Sequence, residues 1–548
     1  GATVLRVTNT SYYNDASSYS SSNSYRNRTV GSSTVILGKV KQSTVGTTST
    51  VKSDTKFSYD SGSYGTAPTL GNLTKVSAYN DVNSTWIDML KTYSSRGNVT
   101  STIDPNGNET RITYGSIGGY SDLYPTETIA AYGTSIARTT TAEYDFYTGL
   151  VTSTTDEDND ITNAVEYDIL GRTVKSISAD GTALESWVQT EYHDHDRFIV
   201  VKSDLETVND RKKVATQFFD QLGRVRLSKT LEDAATQSAI NETDGIKVET
   251  RYRVHSGSPS SSNGTYTLTS NPFRAATSSA ASSEEAMGWT VSFESKSGNL
   301  KSTEFFAGAG LPSLWGSNTN STGKSEETED ANATTTTDEA GKVRRTIEDA
   351  LGRLIRVDEP NDSGVLGTVS SPNQATEYSY DTLGNLTQIV QGGQTRTFTY
   401  SSVSRLLSAN NPESGTFAFT YDNNGNLLTK TDARSVSSTF TYDALNRATV
   451  RNYSDSTPDV TYTYDDAVVA FSKGKLTKVA SSVSESLITS YDEQDRITGS
   501  QQKTAGETYS FSYTYNLDDD LLTQTYPSGK VVEFDYDVSG DLAQVAKS

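Results

Sequence analysis

Along most of the chain, large side chains alternate with Thr or Ser. In one stretch Phe417, Phe419 and Tyr421 fall on one side and Thr416, Ala418 and Thr420 on the other. The same alternation recurs at Phe398/Tyr400, Phe440/Tyr442, Tyr462/Tyr464, Phe511/Tyr513/Tyr515 and Phe534/Tyr536. A period of two puts successive side chains on opposite faces of a strand, and Thr and aromatic residues suit a pleated surface, so these segments predict β-strands. A turn follows each one. Asp381-Thr382-Leu383-Gly384-Asn385 and Asp422-Asn423-Asn424-Gly425-Asn426 show its full form. The Asp carboxylate can accept backbone N–H groups further on, and the Gly supplies positive φ. The next strand opens at Leu386 or Leu427. Each unit is thus a hairpin, with the Tyr ring expected over the turn and its hydroxyl bonded to backbone.

The hairpin repeats. From residue 380 onward the key Tyr falls at Tyr380, Tyr400, Tyr421, Tyr442, Tyr464, Tyr491, Tyr515 and Tyr536, in steps of 20, 21, 21, 22, 27, 24 and 21. Tyr442-Asp443 continues to Arg447, and Tyr536-Asp537 to Gly540. Earlier copies are Tyr167-Asp168 with Gly171-Arg172, Asp220 with Gly223-Arg224, and Asp349 with Gly352-Arg353; the last two replace only the Tyr. Tyr93 leads through Asp104-Pro105-Asn106-Gly107 to Tyr114, again 21 residues on. All these Tyr, Asp, Gly and Arg positions are read as structural, since hairpin construction accounts for them.

These residues resemble the YD repeat of Rhs proteins, Tyr-Asp-x-x-Gly-Arg/Asn-Leu at about 21 residues. The repeat also occurs in insecticidal toxin-complex shells, teneurins and wall-associated bacterial proteins. The resemblance is strong over 341–548, good over about 90–230, and weak over 1–90 and 232–340. It implies an all-β fold of repetitive antiparallel hairpins forming a spiralling sheet, a shell or barrel. In toxin-bearing members such a shell encloses a C-terminal polypeptide; in teneurins it is an extracellular adhesion scaffold. The motif is specific for repeat type and much less so for function.

Four blocks follow: an N-terminal β region over 1–90, degenerate repeats over 91–231, an irregular Ser/Thr/Ala-rich region over 232–340, and the regular array over 341–548. One continuous superstructure is favoured over separate globular domains. Residues 11–28 read as a loop or irregular hairpin, 256–264 as turn-like, 275–287 as the one short helix, and 326–330 as an acidic exposed turn. The last unit, from Tyr536, is unfinished, which reads as a piece of a longer protein.

Composition narrows the picture. Hydrophobic residues make up 33%, yet 32 Tyr and 16 Phe supply large anchors, which fits a thin sheet with one wetted face better than a thick core. The net charge of −21 disfavours nucleic acid as a partner. With no Cys there is neither disulfide nor thiolate chemistry. No apolar run approaches the roughly 18 residues of a membrane helix, and no signal peptide is visible. The family resemblance, rather than composition, points to an extracellular or cell-surface location.

Candidate chemistry is sparse. His193 and His195 could share a face with metal-ligand spacing, but His255 is the only other histidine, so a polar strand end or loop is preferred. Asp156 to Asp160 opens like a calcium loop, yet Ile161 and Tyr167 stand where Gly and Glu are required; this and Asp518-Asp519-Asp520 read as solvated acidic turns. Gly323-Lys324-Ser325 has Asn318 in place of the earlier Gly of a phosphate loop, and Gly308-Ala309-Gly310 lacks the third Gly of a dinucleotide fingerprint. There is no Gly-x-Ser-x-Gly elbow, and no counterpart of the Asp-Pro and Gly-Leu-rich segment of self-cleaving Rhs shells. Sequons such as Asn72-Leu73-Thr74 and Asn385-Leu386-Thr387 are those chance provides in a Thr-rich chain.

The expectation is therefore a non-enzymatic shell without catalytic residues, cofactor or metal. Its partner would be a polypeptide cargo or further segments of the same protein. The alternative is an adhesion or carbohydrate-binding scaffold meeting cell-surface glycans, with Trp86, Trp187, Trp289 and Trp315 as candidates for a local binding patch. Specific function is expected where the repeat breaks down.

Overall fold

The computed structural model describes residues 6–13, 28–30, 33–35, 38–257, 263–284, 286–313, 321–537 and 539–547. Most of the expected 11–28 loop, part of the 256–264 turn and Trp315 lie outside them. Among the described residues forty strands belong to one antiparallel sheet, and Arg28–Val30 pairs separately with Ser33–Val35. The expected all-β array of hairpins is observed. Pairing follows chain order, except that Val7–Tyr12 adds to Val40–Gly46 across the 13–39 connection. The short helix is a 3-10 helix over Ser278–Ser283. Among the described residues no helix is long and apolar enough to cross a membrane.

The regular hairpins share a register. Tyr421 pairs with Leu427 while Thr420 pairs with Thr429, so one extra residue sits opposite the step into the Tyr. Tyr400, Tyr442 and Tyr464 show the same shift against Leu406, Ala448 and Leu476. Alternation puts Phe417, Phe419 and Tyr421 on the better-covered face and leaves Thr416, Ala418 and Thr420 or their neighbours largely exposed. On that second face Thr hydroxyls pair across strands, Thr420 with Thr429 at 2.7 Å and Thr514 with Thr523 at 2.7 Å.

Two compact units emerge, each joining an early and a late part of the chain. Gly1–Ile161 groups with Tyr378–Tyr509, and Thr162–Glu377 with Ser510–Ser548. The 232–340 stretch, irregular in sequence, still builds paired strands, including Ile246–His255, Gly264–Ser270, Gly288–Ser295 and Leu300–Ala307. It also holds a hydrophobic core, in which Leu268, Phe273, Met287, Trp289 and Phe306 are almost fully buried. The acidic stretch 326–330 is not a turn: Glu326 to Glu329 lie within the Ser321–Asp330 strand, paired with Thr337 to Thr334. Lys301 reaches Glu327 and Glu329 from the neighbouring strand, so cross-strand charge pairing offsets the repulsion that suggested a solvated turn.

Candidate functional site

The Tyr-Asp turn is built by one carboxylate. At Asp168 the backbone N–H donates to the Arg172 carbonyl at 2.9 Å, and the Gly171 N–H donates back to the Asp168 carbonyl at 3.0 Å. The carboxylate Oδ1 accepts the N–H groups of Leu170 and Arg172, and Oδ2 accepts Nε of Arg172 at 2.8 Å. The backbone N–H of Arg172 does most to hold the Asp168 carboxyl below its ordinary range. Asp220 with Arg224, Asp349 with Arg353 and Asp443 with Arg447 repeat the clasp. At Asp381 and Asp422 an Asn takes the role of Arg, the amides of Asn385 and Asn426 donating to Oδ2 at 2.8 Å. At Asp537 the carboxylate accepts the N–H groups of Ser539 and Asp541.

The fourth position needs the left-handed backbone. Gly425 has φ of 95° and Gly540 of 88°, whereas Asn446 occupies the same place at 60°. The tyrosines act between hairpins. Tyr442 donates its hydroxyl to the Leu427 carbonyl 15 residues earlier, and Tyr491 likewise to Leu476. Tyr192 reaches Thr173 and Tyr252 reaches Val225 in the same way. Each acceptor opens the second strand of the hairpin before. The preceding Arg then covers the ring: Arg172 lies 4.0 Å from Tyr192, Arg224 4.1 Å from Tyr252 and Arg447 4.3 Å from Tyr464. Arg447 also makes a paired contact with Asp465 of the next turn, at 3.1 and 2.7 Å. One guanidinium thus joins its own turn, the next ring and the next turn.

Alternate turns fall on opposite edges of the sheet, and within each unit the two edges meet. In the first unit the Ser402 backbone N–H donates to Asp81 at 2.8 Å, across 321 residues of chain. Asn106 donates to Asp422 across 316, and Asn424 to Asp104 across 320. Asn159 exchanges two bonds with Lys473 across 314. In the second unit Lys213 pairs with Asp518 across 305, and the Leu517 N–H donates to Leu205. The Tyr-Asp edge of the late strands therefore locks onto the return edge of the early ones.

The remaining candidates are engaged elsewhere. His193 ends a strand and stacks on Phe198 at 4.1 Å, while His195 lies in the turn beyond; Asp194 pairs with Arg172. His255 ends the Ile246–His255 strand. Among the described residues no group of three His, Asp or Glu is placed to hold a metal ion. Asp156 binds the Arg138 guanidinium and the Asn159 amide, and Asp520 accepts from Asn516. Gly323-Lys324-Ser325 lies inside the Ser321–Asp330 strand. Lys56 covers Trp86 at 3.8 Å and Lys175 covers Trp187 at 3.0 Å. Trp289 is no surface patch: it is 1% exposed and belongs to the core, because Phe273 and Phe306 close over it. Sequence reading missed two buried lysines, Lys229 and Lys247, whose ammonium groups donate to backbone carbonyls. It also missed exposed aromatic rings at Tyr120 and Tyr147.

Residues 421–458 match the RHS repeat family model. That stretch contains Tyr421-Asp422 and Tyr442-Asp443, so the resemblance to Rhs repeats holds. No curated protein matches the sequence. Among solved structures, TcdB2-TccC3-TEV is similar over 96% of this chain and 35% of that one, with TM-score 0.68 and 11% identity. TcdB2-TccC3 without its hypervariable C-terminal region matches over 99% and 35%, with TM-score 0.68 and 10% identity. The Photorhabdus luminescens Tc holotoxin pore, carrying a TccC3 Asp-to-Ala mutation, matches over 99% and 34%, with TM-score 0.68 and 11% identity. At such identities the likeness is one of fold. The chain spans about a third of the length of those chains.

Proposed function

We propose that this RHS-repeat chain is the wall of a shell, a non-enzymatic container that encloses or presents a polypeptide of the same protein outside the cell. The observation that carries the reading is the edge-to-edge bonding at separations of 305 to 321 residues. A strip whose late turns lock onto its early ones is a strip that coils, and coiling is what makes a wall out of hairpins. The fold likeness to toxin-complex structures supports this, one of them described as lacking a hypervariable C-terminal region. Turn residues with catalytic functional groups are spent on the clasp: Asp carboxylates on backbone N–H groups and Arg side chains on those carboxylates.

The test is protease protection. The whole gene product containing this chain is digested with a broad protease under native conditions and analysed by mass spectrometry. Survival of a segment outside 1–548 until the shell is unfolded is the expected result. Digestion of every segment outside 1–548 at the rate of free peptide would sink the reading.

A further inference from the structure

Within the first unit the two edges meet at a joint of side-chain amides and carboxylates. The Asn106 amide donates to Asp422 at 2.8 Å and the Asn424 amide to Asp104 at 2.7 Å, so the same bond is made once in each direction. The Asn106 backbone N–H also donates to Oδ1 of Asn424 at 3.1 Å, and the Asn424 amide reaches Asn446 at 2.8 Å. Burial raises the Asp104 carboxyl, but bonds from Asn108 and Asn424 outweigh this and hold it below its ordinary range. The acceptor there is therefore a carboxylate, and its donor is an uncharged amide.

Both amides precede glycine. The chain has three Asn-Gly steps, and two of them, Asn106-Gly107 and Asn424-Gly425, face each other at this joint. The third, Asn263-Gly264, lies in the second unit. An Asn-Gly step is open to deamidation because glycine has no side chain to shield its backbone nitrogen. That nitrogen attacks the Asn Cγ. The new C–N bond closes a five-membered imide, the Cγ–Nδ2 bond breaks, and ammonia leaves with the glycine proton. Water then adds to the imide and opens it to aspartate or isoaspartate. Water is the only co-reactant, and nothing is oxidised or reduced.

The closed joint ties up both reacting groups. The Gly107 N–H donates to the Asp104 carbonyl at 2.9 Å and the Gly425 N–H to that of Asp422 at 3.2 Å, while the Asn side chains are held across the joint. A Cβ built on Gly107 meets nothing within 4 Å, so water has access to the turn. Opening frees nitrogen and side chain together. Conversion then replaces a donor by a second acceptor and sets like charges side by side. The neighbouring Arg405 guanidinium donates to the Asp422 and Asn423 carbonyls, and its single charge would stand against carboxylates at 104, 106, 422 and 424.

We propose that the two Asn-Gly steps make this joint a one-way covalent switch: opening exposes Asn106 and Asn424 to deamidation, and the carboxylates formed keep the edges from closing again. The inference does not rest on the shell reading, since protease protection can fail while the joint still converts in this way.

In the experiment the folded chain is aged in mildly alkaline buffer, converted molecules are separated by charge, and sites are mapped by mass spectrometry. Asp81→Ala and Ser402→Ala loosen the same meeting of edges at a different pair of turns. Each is expected to speed conversion at Asn106 and Asn424 about threefold or more and to leave Asn263 unchanged. Converted wild-type molecules, and separately Asn106→Asp, are expected to exchange backbone hydrogens about tenfold faster at 79–82 and 401–405, with 443–447 unchanged. The converted wild type carries this test if the variant folds poorly. Conversion of Asn106 and Asn424 at the wild-type rate, or not at all, in both Asp81→Ala and Ser402→Ala would overturn the proposal. So would unaltered exchange at 79–82 and 401–405 in converted molecules.

Discussion

The regular array and the 232–340 stretch are both sheets of antiparallel hairpins, yet they are held together differently. In the array, residues such as Phe419 and Tyr442 are only half-buried, and order comes from polar clasps, ring-to-backbone bonds and guanidinium bridges. In 232–340 the clasps largely disappear and Trp289, Phe273 and Leu268 are buried almost completely. A strip one sheet thick cannot bury much apolar surface, so it repeats a polar joint; where the repeat lapses, a local core replaces it. The contrast separates two sources of stability within one fold.

Trp289→Ala is the harshest way to break the comparison. Removing a fully buried aromatic is expected to cost about 3–5 kcal/mol, seen as fast hydrogen exchange confined to the 246–307 strands while the array stays protected. Asp443→Ala should cost less, about 1–3 kcal/mol, by leaving backbone N–H groups and Arg447 without their acceptor. Its exchange signature should spread to the next hairpin, because Arg447 also holds Tyr464 and Asp465. Loss of protection limited to 443–447 would refute the bridging role. Smaller still, Gly425→Ala is expected to destabilise by about 1–2 kcal/mol and Asn446→Gly by about 0.5–1.5 kcal/mol, since Asn446 Oδ1 accepts the amides of Asn424 and Asn426; both are measured by denaturant unfolding. Arg405 is the nearest group to a Cβ at residue 425, at 3.6 Å, so the penalty there is conformational rather than steric.

Acidity should divide the two regions most finely. Burial pushes Lys229 down to about 8, against 10.5 for an ordinary lysine. The unfolded chain therefore binds the proton more tightly, so stability of 230–246 should rise as pH climbs from about 8 to 10.5. The clasped Asp349 of the array is the opposite case: burial raises its carboxyl, but bonds from the Arg353 side chain and backbone outweigh this and hold it below the ordinary Asp value, so its contribution is present above that value and is lost as pH falls through the folded one. Hydrogen exchange across pH should show the array loosening in acid and 230–246 tightening in base. Identical profiles for both would remove the distinction.

Much of the array was legible in sequence because its joint is local. Asp, Gly and Arg within five residues specify the turn, and alternation specifies the strands on either side. The 232–340 stretch was opaque for the complementary reason. Trp289, Phe273 and Phe306 meet only once Gly288–Ser295 pairs with Leu300–Ala307 and Phe273, outside the strands, bridges to Lys247, and no spacing announces that meeting. Reading Trp289 as a surface ring and 326–330 as a turn both failed because burial and cross-strand pairing are properties of neighbours. Lys229 and Lys247 were invisible since backbone carbonyls, their partners, have no side-chain signature. The separations that lock the edges had no local signal either.

Tyr93, Tyr192, Tyr252, Tyr442 and Tyr491 are each fastened to the hairpin made before them, at the residue that opens its second strand. A hairpin can therefore be removed or duplicated whole, and its neighbours still present a fitting ring and acceptor to each other. The edges behave like two racks of teeth with a common pitch: deletion of one unit moves every later turn along by one tooth rather than out of mesh. Chain length in such a protein is free to drift by whole hairpins, while a partial insertion jams the rack.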